Sequence, residues 1–284
     1  MNNRHNRNRG KKSWSIFLAL SLGLFHASSH AGLIAFDLYD NRNLNLITYN
    51  NPLENAFSHS IDDSFQIHQQ GTTNISDGLL DESRSRTDNL GIIEAGKDFA
   101  PFFAVQDLAN PNNPSGQATA SWIFDIEDAS DLSVSLDIAA MGDFELSDWF
   151  RWDYSIDSHE RETLFELNSE QQKTQAYQMA SGAVTSLDDP LSIKNELLDN
   201  HFQNFSTAIW GSGLQLKLFF TAQQNGGGEV LAFRNLIIEG EKEPSASAAI
   251  PAPTTAALLL LGLCGLWAKS SVLNASRCHV ADNR

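Results

Sequence analysis

The chain has 284 residues, of which 42% are hydrophobic and 19% charged, with 35 Asp and Glu against 19 Lys and Arg and a formal net charge of −16. That apolar content supports a packed core and excludes a wholly disordered chain. The acidic balance excludes a surface built for nucleic acid or anionic lipid, and two cysteines exclude a disulfide-stapled scaffold.

At the start, five basic residues (Arg4, Arg7, Arg9, Lys11 and Lys12) precede an apolar run from Trp14 to Phe25, closed by Ser29, His30, Ala31 and Gly32. Basic start, short apolar run and small-x-small end are the parts of a secretory signal peptide, with cleavage expected between Ala31 and Gly32. The run is short for a retained membrane helix. Signal peptidase is therefore an expected partner. Residues 32–247 then hold 11 Lys and Arg against 34 Asp and Glu, a formal −23, and no cysteine. Such a charge reads first as solubility, and it is compatible with divalent cations.

Up to about Gln70 the chain is rich in Asn, Asp and Ser, with strands expected at Ile34–Leu38 and Ser64–His68. Beyond Phe102 a period of two dominates. Ala118, Ala120, Trp122, Phe124 and Ile126 alternate with polar residues, as do Leu132, Val134, Leu136 and Ile138. The pattern returns at Phe150–Ile156 and Leu214–Leu218. Alternation of this kind sets one face on a core and the other toward water. Turn-rich stretches at 110–116 and 225–228 separate the strands, and Gly226 to Gly228 reads as a hairpin turn. One short helix is expected near 190–200, with Asp189 as N-cap, Pro190 in the first turn, and Ile193, Leu197 and Leu198 at rough helical spacing. These signals predict an all-β antiparallel sandwich.

Four segments carry a resemblance: Phe-Phe-Ala-Val-Gln-Asp-Leu (102–108), Asp-Leu-Ser-Val-Ser-Leu-Asp-Ile-Ala-Ala (131–140), Asp-Trp-Phe-Arg-Trp-Asp-Tyr-Ser-Ile-Asp (148–157) and Gly-Glu-Val-Leu-Ala-Phe-Arg-Asn-Leu-Ile-Ile-Glu-Gly (228–240). In that order they resemble the jelly-roll modules of secreted environmental bacteria, which are similar in shape to carbohydrate-binding and concanavalin-like sandwiches. The resemblance implies a jelly-roll β-sandwich over residues 32–240. Arg234 departs from the pattern, since such modules commonly end with Phe-Asp-Asn, and a calcium contact of the family kind loses its carboxylate there.

Chemistry-bearing motifs are few. Four histidines (His59, His68, His159 and His201) show no His-x-x-x-His spacing, so zinc is not supported. No nucleophile elbow or phosphate loop occurs. A glycosidase needs two carboxylates across a sugar bond, and Asp148, Asp153 and Asp157 lie near a tryptophan-rich strand. Asp153 and Asp157, however, fall on a strand's polar face, where carboxylates are ordinarily solvated. Sugar binding asks instead for an exposed aromatic ring beside a few polar groups. Parity sets Phe150, Trp152 and Tyr154 on one face and leaves Trp149 on the other, making Trp149 the candidate platform, with Asp148, Arg151 and Asp153 as candidate polar contacts. Trp122, Trp152 and Trp210 read as core. The acidic turns at 107–113 and 143–148 make calcium the one candidate ion, without matching an EF-hand.

Behind a polar linker (241–249) come Ile250-Pro251-Ala252-Pro253-Thr254-Thr255 and an uncharged run from Ala256 to Ala268. As a helix rising about 1.5 Å per residue, the run falls short of a hydrocarbon core about 30 Å thick. The segment resembles the PEP-CTERM sorting signal of Gram-negative bacteria, with Ala252 between Pro251 and Pro253 where the motif usually has Glu, and with basic residues after the run thinned to Lys269, Arg277 and Arg284. That resemblance implies recognition by an exosortase-type membrane protease and delivery to the cell surface or exopolysaccharide matrix. The whole reads as four parts: signal peptide (1–31), sandwich (32–240), linker (241–249) and a sorting or anchor segment with a hydrophobic helix (250–284). The expected function is a non-enzymatic, surface- or exopolysaccharide-associated protein that binds carbohydrate. A carbohydrate-active hydrolase and a purely structural matrix protein are the alternatives.

Overall fold

A computed structural model describes residues 31–242, apart from 55, 58–62, 70–74, 76–77, 82–89, 93–99 and 128. The expected signal peptide (1–31) except Ala31, the expected linker beyond Lys242, the expected sorting motif Pro251-Ala252-Pro253 and His59 lie outside the described residues.

The described chain is all β, built as a sandwich of two antiparallel sheets. The first sheet runs β14 (Gln203–Ala208), β7 (Ser130–Met141), β16 (Val230–Glu241), β1 (Gly32–Tyr39) and β2 (Arg42–Leu44). It also includes β5 (Phe102–Gln106), which pairs with both β16 and β4 (Ser64–His68). The second sheet runs β13 (Glu196–Leu197), β12 (Leu191–Ile193), β9 (Glu162–Ser169), β8 (Trp149–Ile156), β15 (Gln215–Gln223), β6 (Gln117–Asp125) and β3 (Leu46–Asn50). A separate hairpin joins β10 (Thr174–Gln178) to β11 (Val184–Asp188). Strands β5 to β8 alternate between the two sheets, as do β15 and β16, so their connections cross the ends of the sandwich.

Strand β16 changes partner along one edge. Its first half pairs with β5 through Leu231, Ala232 and Phe233, and its second half with β1 through Leu236 to Gly240. A bulge separates the halves at Asn235, whose φ is 51° and whose Nδ2 donates to Asp137 Oδ2 at 2.6 Å. A bulge adds a residue and a twist, which lets one strand serve two partners.

The inward faces meet in an aromatic core. Phe233 lies 4.9 Å from Phe220, 5.1 Å from Phe103 and 5.3 Å from Trp152, ring centre to ring centre. Edge-on and offset contacts at these distances add to the burial of large rings. Apolar cover also lies on the outer side of the first sheet. Phe102, Ala104, Ala139, Val230 and Ala232 pack there with Leu79 and Ile92 of the β4–β5 connection, and Tyr177 and Met179 pack with Met141. Asp81 accepts a hydrogen bond from Ala180 N, tying that connection to the region after β10.

The expected strands at Ile34–Leu38, Ser64–His68, Ala118–Ile126, Leu132–Ile138, Phe150–Ile156 and Leu214–Leu218 lie in or overlap observed ones. Two local expectations are overturned. No helix forms at 190–200. Asp189, Lys194 and Asn195 have φ of 50°, 51° and 67°, and the last two make a two-residue hairpin turn between β12 and β13. Of the three residues at rough helical spacing, Ile193 lies buried in β12, Leu197 is half-buried in β13, and Leu198 is buried just after it. The glycine stretch at 226–228 is likewise no hairpin, because β15 and β16 belong to different sheets and the loop carries the chain across the end of the sandwich.

Candidate functional site

The outer face of the second sheet holds the row predicted around Trp149. Residues Trp149, Arg151, Asp153 and Ser155 alternate with buried Phe150, Trp152, Tyr154 and Ile156. Trp149 is half-buried, its Nε1 donating to Gln223 Oε1 at 3.2 Å and its ring 5.7 Å from the Arg151 guanidinium. Arg151 Nε in turn donates to Asp153 Oδ2 at 3.0 Å. Beside them Phe219 also points outward, yet Arg161 lies 3.5 Å from its ring centre and Lys217 4.9 Å. The aromatic faces of this sheet are thus shared with cations.

Asp153 is not a solvated surface acid. It is buried, held by Arg151 and by Thr163 Oγ1, which donates at 2.9 Å. Asp157 caps the incoming β15, accepting from Leu214 N and Gln215 N. Arg234 sits in β16 opposite Asp137, with its guanidinium 4.4 Å from the Phe202 ring centre. The histidines are dispersed: His68 is buried against Ser64 Oγ at 2.6 Å, and His201 faces Asp199 at 3.5 Å.

Asp148 leaves the Trp149 row altogether. It turns toward the end of the sandwich, where its carboxylate, that of Glu145 and that of Glu229 bring oxygens within 4.8 Å of one another. The 142–148 turn and the 224–229 crossing supply these groups. Asp148 Oδ2 accepts from Glu145 N at 2.9 Å, closing the turn. Gly226 and Gly142 pass so close to Glu229 that a Cβ at either would lie 2.4 Å from its carboxyl carbon or 2.8 Å from its Cα. Asp148 and Glu229 are 3% and 4% exposed. Burial, then the Asp148 charge, pushes Glu229 up to about 9, and burial with the Glu145 contact pushes Asp148 up to about 6. Like charges this close raise the cost of ionising both Asp148 and Glu229, a cost that a bound cation would offset.

Trp210 is the largest departure from the sequence reading. Expected in the core, it is 76% exposed. It borders a groove of about 680 Å³ formed by the start of β7, the end of β14 and the loop that follows. Ser133, Ser206, Thr207, Ser212 and Asp131 line the groove with hydroxyls and a carboxylate. The loop backbone is pinned, because Trp210 N donates to Tyr154 Oη at 3.0 Å and Tyr154 Oη lies 3.2 Å from Trp210 O. Gly211 follows with φ of 109°, a conformation glycine adopts without strain. A signal was present in the sequence: Trp210-Gly211-Ser212-Gly213 has no apolar alternation, and a tryptophan in a glycine-serine loop is poorly placed for a core.

The chain matches no protein-family model and no curated protein. Among solved structures it is distantly similar to the CBM22-1–GH10 modules of the Clostridium thermocellum endo-1,4-beta-D-xylanase 10B, complexed with xylohexaose. That similarity has 8% identity and a TM-score of 0.26, covering 55% of this chain and 25% of that one.

Proposed function

We propose that the chain is an exported, non-enzymatic, polysaccharide-binding sandwich that meets its ligand in the groove beside Trp210. The carrying observation is an exposed indole on a pinned loop next to a concave surface rich in hydroxyls. A pyranose offers an apolar C–H face and an equatorial rim of hydroxyls. An aromatic ring flanked by Ser, Thr and Asp side chains complements both. The alternation of strands between the sheets supports a jelly-roll reading of the sandwich. Export and surface delivery rest on the terminal segments: the signal peptide ending at Ala31 and the PEP-CTERM-like segment at Pro251, Ala252 and Pro253, acted on by signal peptidase and an exosortase-type protease of a Gram-negative cell envelope. The non-enzymatic reading is supported by the commitment of Asp153 and Asp157 to structural contacts.

The test uses the full-length chain in affinity electrophoresis and calorimetry against neutral and acidic polysaccharides, with Trp210→Ala and Trp149→Ala beside it. Trp210→Ala is expected to weaken binding by at least about tenfold, equivalent to about 1.4 kcal/mol, while Trp149→Ala changes it little. Loss with Trp149→Ala alone would move the site to the second sheet. Absence of binding to every polysaccharide would overturn the carbohydrate reading, and release of reducing sugar would overturn the non-enzymatic one.

A further inference from the structure

The geometry points to a calcium site at the end of the sandwich, formed by Glu145, Asp148 and Glu229 with the side-chain amide of Gln224. It is independent of the Trp210 groove and uses none of that groove's residues. Three features carry it. The three carboxylate oxygens lie within 4.8 Å of one another. Two ligands on opposite sides of Ca²⁺, each at about 2.4 Å, are separated by about that span. Next, Gln224, 1% exposed, donates through Nε2 to Glu229 O at 2.6 Å and Gly226 O at 3.1 Å, with Glu229 Oε2 at 3.4 Å, while Oε1 of the same amide is buried and accepts no hydrogen bond. A buried amide oxygen without a donor costs free energy unless something positive meets it. A cation held by the neighbouring carboxylates would supply that charge. Finally, every side-chain donor here is oxygen, with no histidine or cysteine in the cluster, which selects a hard cation over zinc.

Calcium fits better than magnesium. Magnesium dehydrates reluctantly and is usually held by one or two carboxylates with its waters retained, whereas calcium accepts many protein oxygens in flexible geometry. The site also has a structural consequence. Glu145 and Asp148 belong to the turn before β8, and Gln224 and Glu229 to the crossing from β15 to β16. A bound ion would clamp the two connections together, next to the rung where Trp149 pairs with Gln223.

The experiment takes the full-length chain, strips it with EGTA and titrates it with CaCl₂ by calorimetry, following Tm in parallel with CaCl₂ and MgCl₂. Terbium luminescence excited through tryptophan reports the location, since Trp149 adjoins Asp148. The expected result is a saturable calcium site, one per chain, with a Tm rise that magnesium does not match and terbium emission that calcium displaces. Glu145→Gln, at an exposed residue, is expected to weaken calcium at least tenfold in a folded protein. Glu229→Gln is expected to abolish the calcium-dependent Tm rise while the variant still unfolds cooperatively in EGTA. No binding at millimolar calcium would overturn the proposal. So would calcium binding that Glu145→Gln and Glu229→Gln leave unchanged, because the ion would then sit elsewhere on an acidic surface.

Discussion

Asp37 and Trp122 illustrate what single side chains do inside this sandwich. The indole Nε1 of Trp122 donates to Asp37 Oδ2 at 2.9 Å, which lets a nearly inaccessible tryptophan satisfy its one donor. Burial raises the Asp37 carboxyl above its ordinary 3.8, and the bonds from Leu38 and Trp122 only partly offset this. A carboxyl raised in the folded state costs nothing below the unfolded value. Its cost appears as pH rises through the window between the two values, and it persists above. Asp37→Asn keeps an acceptor for Trp122 and removes the half-buried charge. It is therefore expected to raise stability at pH 7, with the gain vanishing below about pH 4, as read by urea unfolding across pH. Trp122 and Trp152 were legible as core because alternation fixes the side of a strand on which each lies. Trp210 was misread because a residue outside a regular strand has no parity to place it. The inward or outward sense of Asp153 was legible too, but its burial was not. The Arg151 and Thr163 groups that cover it are positioned by neighbouring positions and a neighbouring strand.

The elements themselves depend on a few left-handed residues. Asn235 forms the bulge at which β16 passes from β5 to β1, with φ of 51° and a side-chain bond to Asp137. Asn235→Gly keeps the backbone conformation and loses the bond, an expected cost of about 1 kcal/mol. Asn235→Val loses the bond and adds left-handed strain at a β-branched residue, for an expected cost of about 2–4 kcal/mol. Chemical denaturation of the two variants separates these contributions; equal costs would mean that the bulge relaxes. The same conformation explains the missed hairpin at Lys194 and Asn195. Neither Lys nor Asn announces a two-residue turn as Asn-Gly would. With Asp-Pro just upstream, the local signal favoured a helix start, and pairing of β12 with β9 overrode it. Strands β9 to β11 were also not anticipated. A register shift interrupts β8–β9 pairing after Trp152, and the β10–β11 hairpin is largely polar, so neither offers a long clean alternation.

Across the molecule, residues 32–247 carry a formal charge of −23, and the described residues pack as two sheets with no disulfide among them. Like charges repel more strongly in the compact state than in an expanded chain. Screening lengths fall from about 30 Å at 0.01 M salt to about 10 Å at 0.1 M. Added sodium chloride is therefore expected to raise Tm over that range in EGTA, as read by calorimetry. A flat or falling Tm would mean that exposed ion pairs such as Arg42–Asp40 and Lys242–Glu127 outweigh the repulsion.

By itself the sequence determined the β class, the strands with clean alternation and the faces of their side chains, because period-two patterning is local and needs no partner. The proposed export and sorting rest on the sequence alone, through the composition and order of its terminal segments. Only the tertiary structure decided which acids share a site and which tryptophan stands free. Asp148 and Glu229 are 81 positions apart in sequence, and they meet because two connections cross the same end of the sandwich. Trp210 is exposed because Tyr154, on a strand of the opposite sheet from β14, holds the loop that follows β14. Convergence of distant segments follows from the pairing of strands, and no local pattern encodes it.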